Sequence, residues 1–526
     1  MDEIDIRQKL NPRFQFRHLL IGVLLALILP APGWSQTPDS IRIRKRKVEI
    51  LYADLLTNDN VRSDLKKLLG NVSLRDPEND ILMYCDSAYL FQKDNQVKAY
   101  SKVHINQKDT LNLYGDYLFY DGNEKKAFMS GNVELIDKET HLYTSSINYD
   151  VAQKVASYTD SGRITNEKNT LTSIIGIYYA DKKMFHFKDS VKIVNPDYVM
   201  TGDTMDYNTE TATAFFTGPS EVKGDSIYIY CLKGWYDTKN DILRIWRNAV
   251  INNKKQIIKG DSLYYESKTG FGQAFKDMSI ADTSNDVMVK GDYAWYYKNP
   301  EKFVVTEKAM FIQASGGDSL FLHSDTISAV SVADSVGKLY RLVKAYFGCR
   351  IFSKDLQAKC DSLSYSFQDS VIRLYHSPVL WSDTNQLISD SVAIFTKNRE
   401  ADRMELYNNA FITSQVDSIR YNQIKGRTLK GYFRDNKLYK VNIDGNGETI
   451  YFLVDNDQII GVNHAKSSSL EIDIDKGKIT DIYEYQNPDG KLDPPFLNPP
   501  GTLRLPGFSW YDNLRPKKVQ DIFTKQ

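Results

Sequence analysis

A motif that returns about every 29 residues constrains this chain more than any other feature of it. A small residue is followed by Asp and then by a run of hydroxyl, apolar and aromatic side chains. It occurs as Cys85-Asp86-Ser87-Ala88-Tyr89, Gly115-Asp116-Tyr117-Leu118-Phe119-Tyr120, Gly202-Asp203-Thr204-Met205-Asp206-Tyr207, Gly260-Asp261-Ser262-Leu263-Tyr264-Tyr265, Gly291-Asp292-Tyr293-Ala294-Trp295-Tyr296 and Cys360-Asp361-Ser362-Leu363-Ser364-Tyr365. Asp116 to Asp203 is 87 residues, three periods; Asp203 to Asp261 is 58, two; Asp361 to Asp390 is one. A fixed period of this size makes each unit one supersecondary element that buries its apolar face only against its neighbours. The expectation is an elongated array of about 14 repeats.

A second motif runs in phase with the first: a small residue, a polar one, then alternating apolar positions. Examples are Gly70-Asn71-Val72-Ser73-Leu74, Ser101-Lys102-Val103-His104-Ile105, Gly131-Asn132-Val133-Glu134-Leu135 and Asp189-Ser190-Val191-Lys192-Ile193. Each repeat therefore holds two strands. Between Lys126 and Asp137, Ala127, Met129, Val133 and Leu135 share one face while Ser130, Asn132 and Glu134 share the other, the period of a half-buried strand. Turn formers such as Asp121-Gly122-Asn123 and Asp137-Lys138-Glu139 separate the strands and imply antiparallel pairing. A glycine or other small residue in mid-strand marks a bend or bulge. Each long strand is thus expected to cross one sheet, turn a corner and continue in a second, which predicts an all-β, two-sheet jelly roll or V-shaped trough.

The chain divides into three. Residues 1–35 read as a secretory signal peptide: an 11-residue apolar run, Leu19 to Leu29, follows Arg13 and Arg17 and precedes Gly33-Trp34-Ser35, and it is too short to span a membrane. An uncleaved anchor is the rival reading, and the lack of a Cys after the run argues against a lipoprotein. Residues 36–485 hold the repeats. In 486–526 the composition changes: seven of the 16 prolines fall there, among Phe496, Phe508, Trp510 and Tyr511. Proline at that density cannot continue a ladder, so this tail is an extended cap or a docking segment.

Charge excludes one class of partner. Removing four basic residues (Arg7, Lys9, Arg13, Arg17) and three acidic ones (Asp2, Glu3, Asp5) from 67 of each leaves 63 against 64. Nucleic-acid binding needs a basic face, and the short run Arg42 to Lys47 is a solvated edge rather than such a face. Catalytic signatures are missing as well. The seven histidines, at 18, 104, 141, 186, 323, 376 and 464, show no ligand spacing, so no metal or other cofactor is expected. Gly-Asp-Ser recurs with the repeat and reads as corner chemistry, not as a nucleophile. A calcium loop starting at Asn442 fails at Leu453, where a Glu is required. A polysaccharide-acting enzyme would need two distinguished carboxylates, and none stands out among the recurrent aspartates.

Cys85, Cys231 and Cys360 occupy the small-residue slot ahead of the Asp position of their repeats, and Cys349 fills the matching slot of the other strand, so all four can be small apolar corner residues. A hairpin turning near Ser353-Lys354-Asp355-Leu356 would also set Cys349 opposite Cys360, where an exported chain could form a bridge.

This alternation of Asp-Ser/Tyr-apolar-x-Tyr with small-Asn-Val-x-apolar, behind a signal peptide, resembles the OstA-like family. The resemblance implies a β-jelly roll whose apolar interior holds the acyl chains of lipopolysaccharide, a periplasmic place with a possible association with the outer membrane, a part in outer-membrane assembly, and other jelly-roll transport components at the two ends. The chain is several times longer than a typical bridge subunit of that family. The inward face is expected at Val72, Leu74, Val103, Ile105, Val133, Leu135, Val191 and Ile193, which hold the same alternating positions in successive repeats. A structural solenoid with a packed interior is the alternative.

Overall fold

The small residues in mid-strand become corners. Strand Gln96–Gln107 pairs with Leu111–Asp121 in a register that shifts between Tyr100 and Val103. The residues passed over, Ser101 and Lys102, have φ of 65° and 48°. Two successive left-handed residues bend an otherwise extended strand. The same pair recurs at Gly70-Asn71, Gly131-Asn132, Asp189-Ser190, Arg247-Asn248, Lys276-Asp277 and Asn408-Asn409. Most of these are not glycine, so the conformation needs support. The recurrent Asp supplies it: Asn132 Nδ2 donates to Asp116 Oδ2 at 2.8 Å, Ser101 Oγ to Asp86 Oδ2 at 2.8 Å, Asn71 Nδ2 to Asp54 Oδ2 at 2.9 Å and Lys308 Nζ to Asp292 Oδ2 at 2.6 Å. At Gly131 no side chain fits, because φ is +79° and a Cβ would stand 2.7 Å from Asp116 Oδ2.

The computed structural model describes residues 47–524, except 108–110, 138–139, 166–168, 284–285, 316–317, 398–399 and positions 436, 457, 477, 498 and 500. The signal peptide expected at 1–35 and the basic run up to Arg46 lie outside the described residues. Within them the chain is all-β and antiparallel, a β-jelly roll. Among the described residues the only helical turns are short 3-10 segments at Ala180–Lys182, Asp512–Leu514 and Val519–Phe523.

Because each long strand bends at its corner, its two halves belong to two facing sheets. On the first sheet, register links one inner row across successive strands: Leu74, Met83, Ile105, Leu113, Leu135, Leu142, Ile164, Leu171, Ile193, Met200, Val222, Ile229, Ile251, Ile258, Ile280, Val289 and Phe311. It continues through Leu322, Ile351, Ala358, Leu380, Leu387, Ile412 and Ile424. Every member is apolar. A register slip of one residue anywhere would turn a strand's apolar set outward, so this stripe is what fixes the pairing. The second sheet answers with an inner row that includes Leu68, Ala88, Ala99, Leu118, Met129 and Ile147, all buried.

The ladder runs past residue 485: Asp489–Asp493 still pairs with Gln458–Asp475. Beyond it the proline-rich tail turns back across the outer face of the first sheet. Three glutamines next to inner-row positions, Gln357, Gln386 and Gln423, point outward by strand alternation and are nonetheless buried. Gln423 Nε2 donates to Leu503 O at 3.0 Å while Leu505 N donates to Gln423 Oε1 at 2.8 Å. Gln386 treats Ser509 O and Tyr511 N in the same way, at 2.8 and 2.6 Å. Gln357 Oε1 accepts from Arg515 Nε and Nη2, Arg350 Nη1 donates to Asp521 O at 3.2 Å, and Phe523 stacks obliquely on His323 with ring centres 4.5 Å apart. The amides of Gln423 and Gln386 thus substitute for a strand neighbour, giving backbone groups of the tail the partners that proline-rich sequence denies them, while Gln357 holds the Arg515 side chain.

Candidate functional site

The two sheets enclose an apolar interior that is not uniform along the ladder. From Leu74 to Ile229 every member of the first sheet's inner row is buried. Ile251, Ile258, Ile280, Val289 and Phe311, at the same position in later strands, are only half-buried. Burial resumes at Leu322, Ile351, Ala358 and Leu380. The interval between holds a cavity of about 1210 Å³. Leu243, Ile251, Ile258, Ile280, Val289, Phe303 and Phe311 form apolar walls, and Asp197, Asp241, Gln256, Lys298, Glu301 and Arg341 stand on the rims. Arg341 Nη2 lies 3.6 Å from Glu301 Oε1 on one rim.

The eight residues singled out from the sequence all join the buried core between the sheets. Val72, Leu74, Val103, Ile105, Val133, Leu135 and Val191 sit where that core is filled, and Ile193 borders a second, small cavity of about 60 Å³ beside Phe185, Phe187 and Met200. None of the eight lines the large cavity. The open section is made by the same stripe further along, at positions the sequence does not set apart.

What changes between the sections is the mouth. On the second sheet the inner row nearest the rim alternates tyrosine with small residues: Tyr120 faces Ala127, Ala127 faces Tyr149, Tyr149 faces Ala156 and Ala156 faces Tyr178. Tyr120 OH donates to the Asp76 carboxylate, Tyr149 OH to Gln107 Oε1 at 3.0 Å and Tyr178 OH to Asp137 Oδ2 at 2.9 Å. Each acceptor lies at the end of a strand half on the facing sheet, so these bonds cross the mouth. Lys125 Nζ and Glu78 Oε1, 2.8 Å apart, cross it too. Burial, with the carboxylate of Asp76 behind it, raises the Tyr120 phenol; burial pushes Tyr149 up to about 12; burial and the charge of Asp137 raise Tyr178. All three stay neutral donors at physiological pH.

Cys349 faces Cys360 across the ladder, both buried, and their thiols are free in the structure, as are those of Cys85 and Cys231. Among the described residues no group of His, Cys, Asp and Glu could hold a metal ion, and no helix is long and apolar enough to cross a membrane.

Comparison with known proteins places part of this chain. A family model described as OstA-like protein matches residues 45–203. None of the curated proteins matches the chain. Among solved structures, the chain is similar to LptH, the LptA-homologous periplasmic component of the lipopolysaccharide transport device of Pseudomonas aeruginosa, at 16% identity over 26% of this chain and 82% of that one, with a TM-score of 0.14. Repeat, corner chemistry and family match coincide over one segment: residues 45–203 of this chain are similar to the OstA-like proteins.

Proposed function

We propose that the chain binds lipopolysaccharide and carries it in the periplasm toward outer-membrane assembly, its apolar interior holding the acyl chains. The observation that carries this reading is the unbroken apolar row from Leu74 to Ile424 and its opening, between Ile251 and Phe311, onto a cavity of about 1210 Å³ with polar rims. Half-buried isoleucine, valine and phenylalanine around a void are stabilised when another apolar surface covers them, at about 25 cal/mol per Å². The cavity exceeds the roughly 300–1,000 Å³ of ordinary small-molecule sites, and its acyl-sized walls under charged rims suit an amphiphile. Binding spread over many weak contacts calls for no catalytic group.

Partners of the same build suit its ends. Leu51, Tyr52, Leu55 and Leu56 are exposed on the short strands Glu49–Tyr52 and Leu55–Asn58, and Tyr483, Tyr485 and Leu492 on Lys478–Tyr485 and Asp489–Asp493. Edge strands with apolar side chains accept further strands from another chain. The filled interior before Ile229 favours a second reading, a scaffold that holds no lipid. Solvent extraction and mass spectrometry of protein purified from its native envelope separates the two. Bound lipopolysaccharide is expected, and Ile258→Asp should lower it about tenfold by placing a charge on the wall. Protein that carries no lipid and takes none up would leave the scaffold.

A further inference from the structure

A ligand could reach the cavity from an end of the ladder or through the mouth. The ends are shut. On one side Leu74, Met83, Leu113 and Leu118 are each 1% exposed or less, and on the other Leu374, Leu380 and Leu387 are fully buried. Side chains at interior density leave no lumen for an acyl chain to thread. The mouth differs along its length in the tyrosine row, which keeps a 29-residue step from Tyr120 through Tyr149, Tyr178, Tyr207 and Tyr236 to Tyr265. The first three cross to the opposite rim. Tyr236 instead donates to Asp241 on its own hairpin at 2.9 Å, and Tyr236 and Tyr265 line the cavity, half-buried. Where the phenols cross, the inner row is buried; over Ile251 to Phe311, beside Tyr236 and Tyr265, it opens, and from Leu322 onward it is buried again.

We propose that Tyr120, Tyr149 and Tyr178 are latches that keep the N-terminal part of the trough shut, and that an acyl chain enters and leaves sideways through the unlatched mouth over Ile251 to Phe311. The inference rests on the lipid-binding reading and adds where the lipid sits and how it gets there. In this geometry the polar head stays outside against Lys298 and Arg341 while the chains lie inward, so the lipid need not pass its head through the protein. Tyr198 and Tyr236, ring centres 6.5 Å apart, mark the near end of the opening. The latched part then acts as a closed rod that sets the distance of the opening from the first strands.

A photoreactive probe tests this on the unaltered protein. Palmitate carrying a mid-chain diazirine is bound, irradiated, and its adducts mapped by peptide mass spectrometry, with lipopolysaccharide as competitor. Adducts should be about tenfold denser over residues 242–315 than over 65–150, a ratio worth about 1.4 kcal/mol. Equal density in both would overturn the proposal and leave the lipid reading standing. Adducts nowhere, or adducts that lipopolysaccharide fails to displace, would remove the lipid reading and the proposal together. The triple variant Tyr120→Phe, Tyr149→Phe, Tyr178→Phe keeps the rings and removes the crossing bonds; if it stays folded by circular dichroism, labelling of 65–150 should rise several-fold. Unchanged labelling would show that packing alone closes the trough and would overturn the latch role. Should the triple variant not fold, the single Tyr178→Phe gives the same readout.

Discussion

At a corner, a residue forced to positive φ sits beside a carboxylate that pays for it with one hydrogen bond. Asp116 and Asn132 are the plainest case, and the pattern explains why the repeated aspartates are structural acceptors rather than an array of potential acids. The cysteines present the same register logic with a different outcome. Residues directly opposite in an antiparallel ladder have Cα atoms about 4.5–5.5 Å apart, inside the range a disulfide accepts, and Cys349 and Cys360 are such a pair. In an oxidising compartment they are expected to form a bridge, leaving Cys85 and Cys231 as thiols. A thiol titration of denatured, unreduced protein should then count two, and four would rule the bridge out. The opposition itself was legible in the sequence, because Cys349 and Cys360 occupy the two corner slots of one hairpin. The latch role of Tyr149 was not: an aromatic at a repeat position reads as core, and only its distance to Gln107 on the other sheet sets it apart.

The strands themselves were easy to read, since alternation, turn residues and mid-strand small residues agree from Leu65 onward. The tail was not. Its prolines say only that it leaves the ladder, and its receptor is three glutamines that look like ordinary solvent-facing strand residues. Gln357 and Gln386 stand 29 residues apart, which was a signal that one repeat position had been given over to something other than solvent. The docking can be tested one clamp at a time. Gln386→Leu removes both bonds to Ser509 and Tyr511 and leaves those tail groups unpaired, which costs about 1–3 kcal/mol locally. Limited proteolysis should cut the variant within 503–515 several times faster than the parent while the ladder stays intact. A cleavage rate equal to that of the parent would mean the tail is held by its aromatic contacts, such as those of Phe508 and Trp510 with Tyr421.

Over the whole ladder, the inner row from Ile50 to Gly490 passes through 28 strands and steps about 4.8 Å per strand, so it reaches roughly 130 Å. Small-angle scattering should give a radius of gyration well above the about 24 Å of a compact domain of this chain length, with a separate cross-sectional term; a value near that of the compact domain would mean that the ladder folds back on itself. The period made this extent legible in advance. The place of the opening was not, because the apolar stripe is the same before and after it, and the crossing bonds of Tyr120, Tyr149 and Tyr178 show only in the structure. The strap changes how such a ladder answers to force. Where strands touch only their neighbours, a local disturbance is passed on one strand at a time and fades. A single segment gripped at Gln423, Gln386, Gln357, Arg350 and His323 acts like a splint along a jointed rod: a load applied to one of those strands is shared at once by all of them, so this stretch resists bending and yields as one piece, while the unsplinted strands before it remain free to flex.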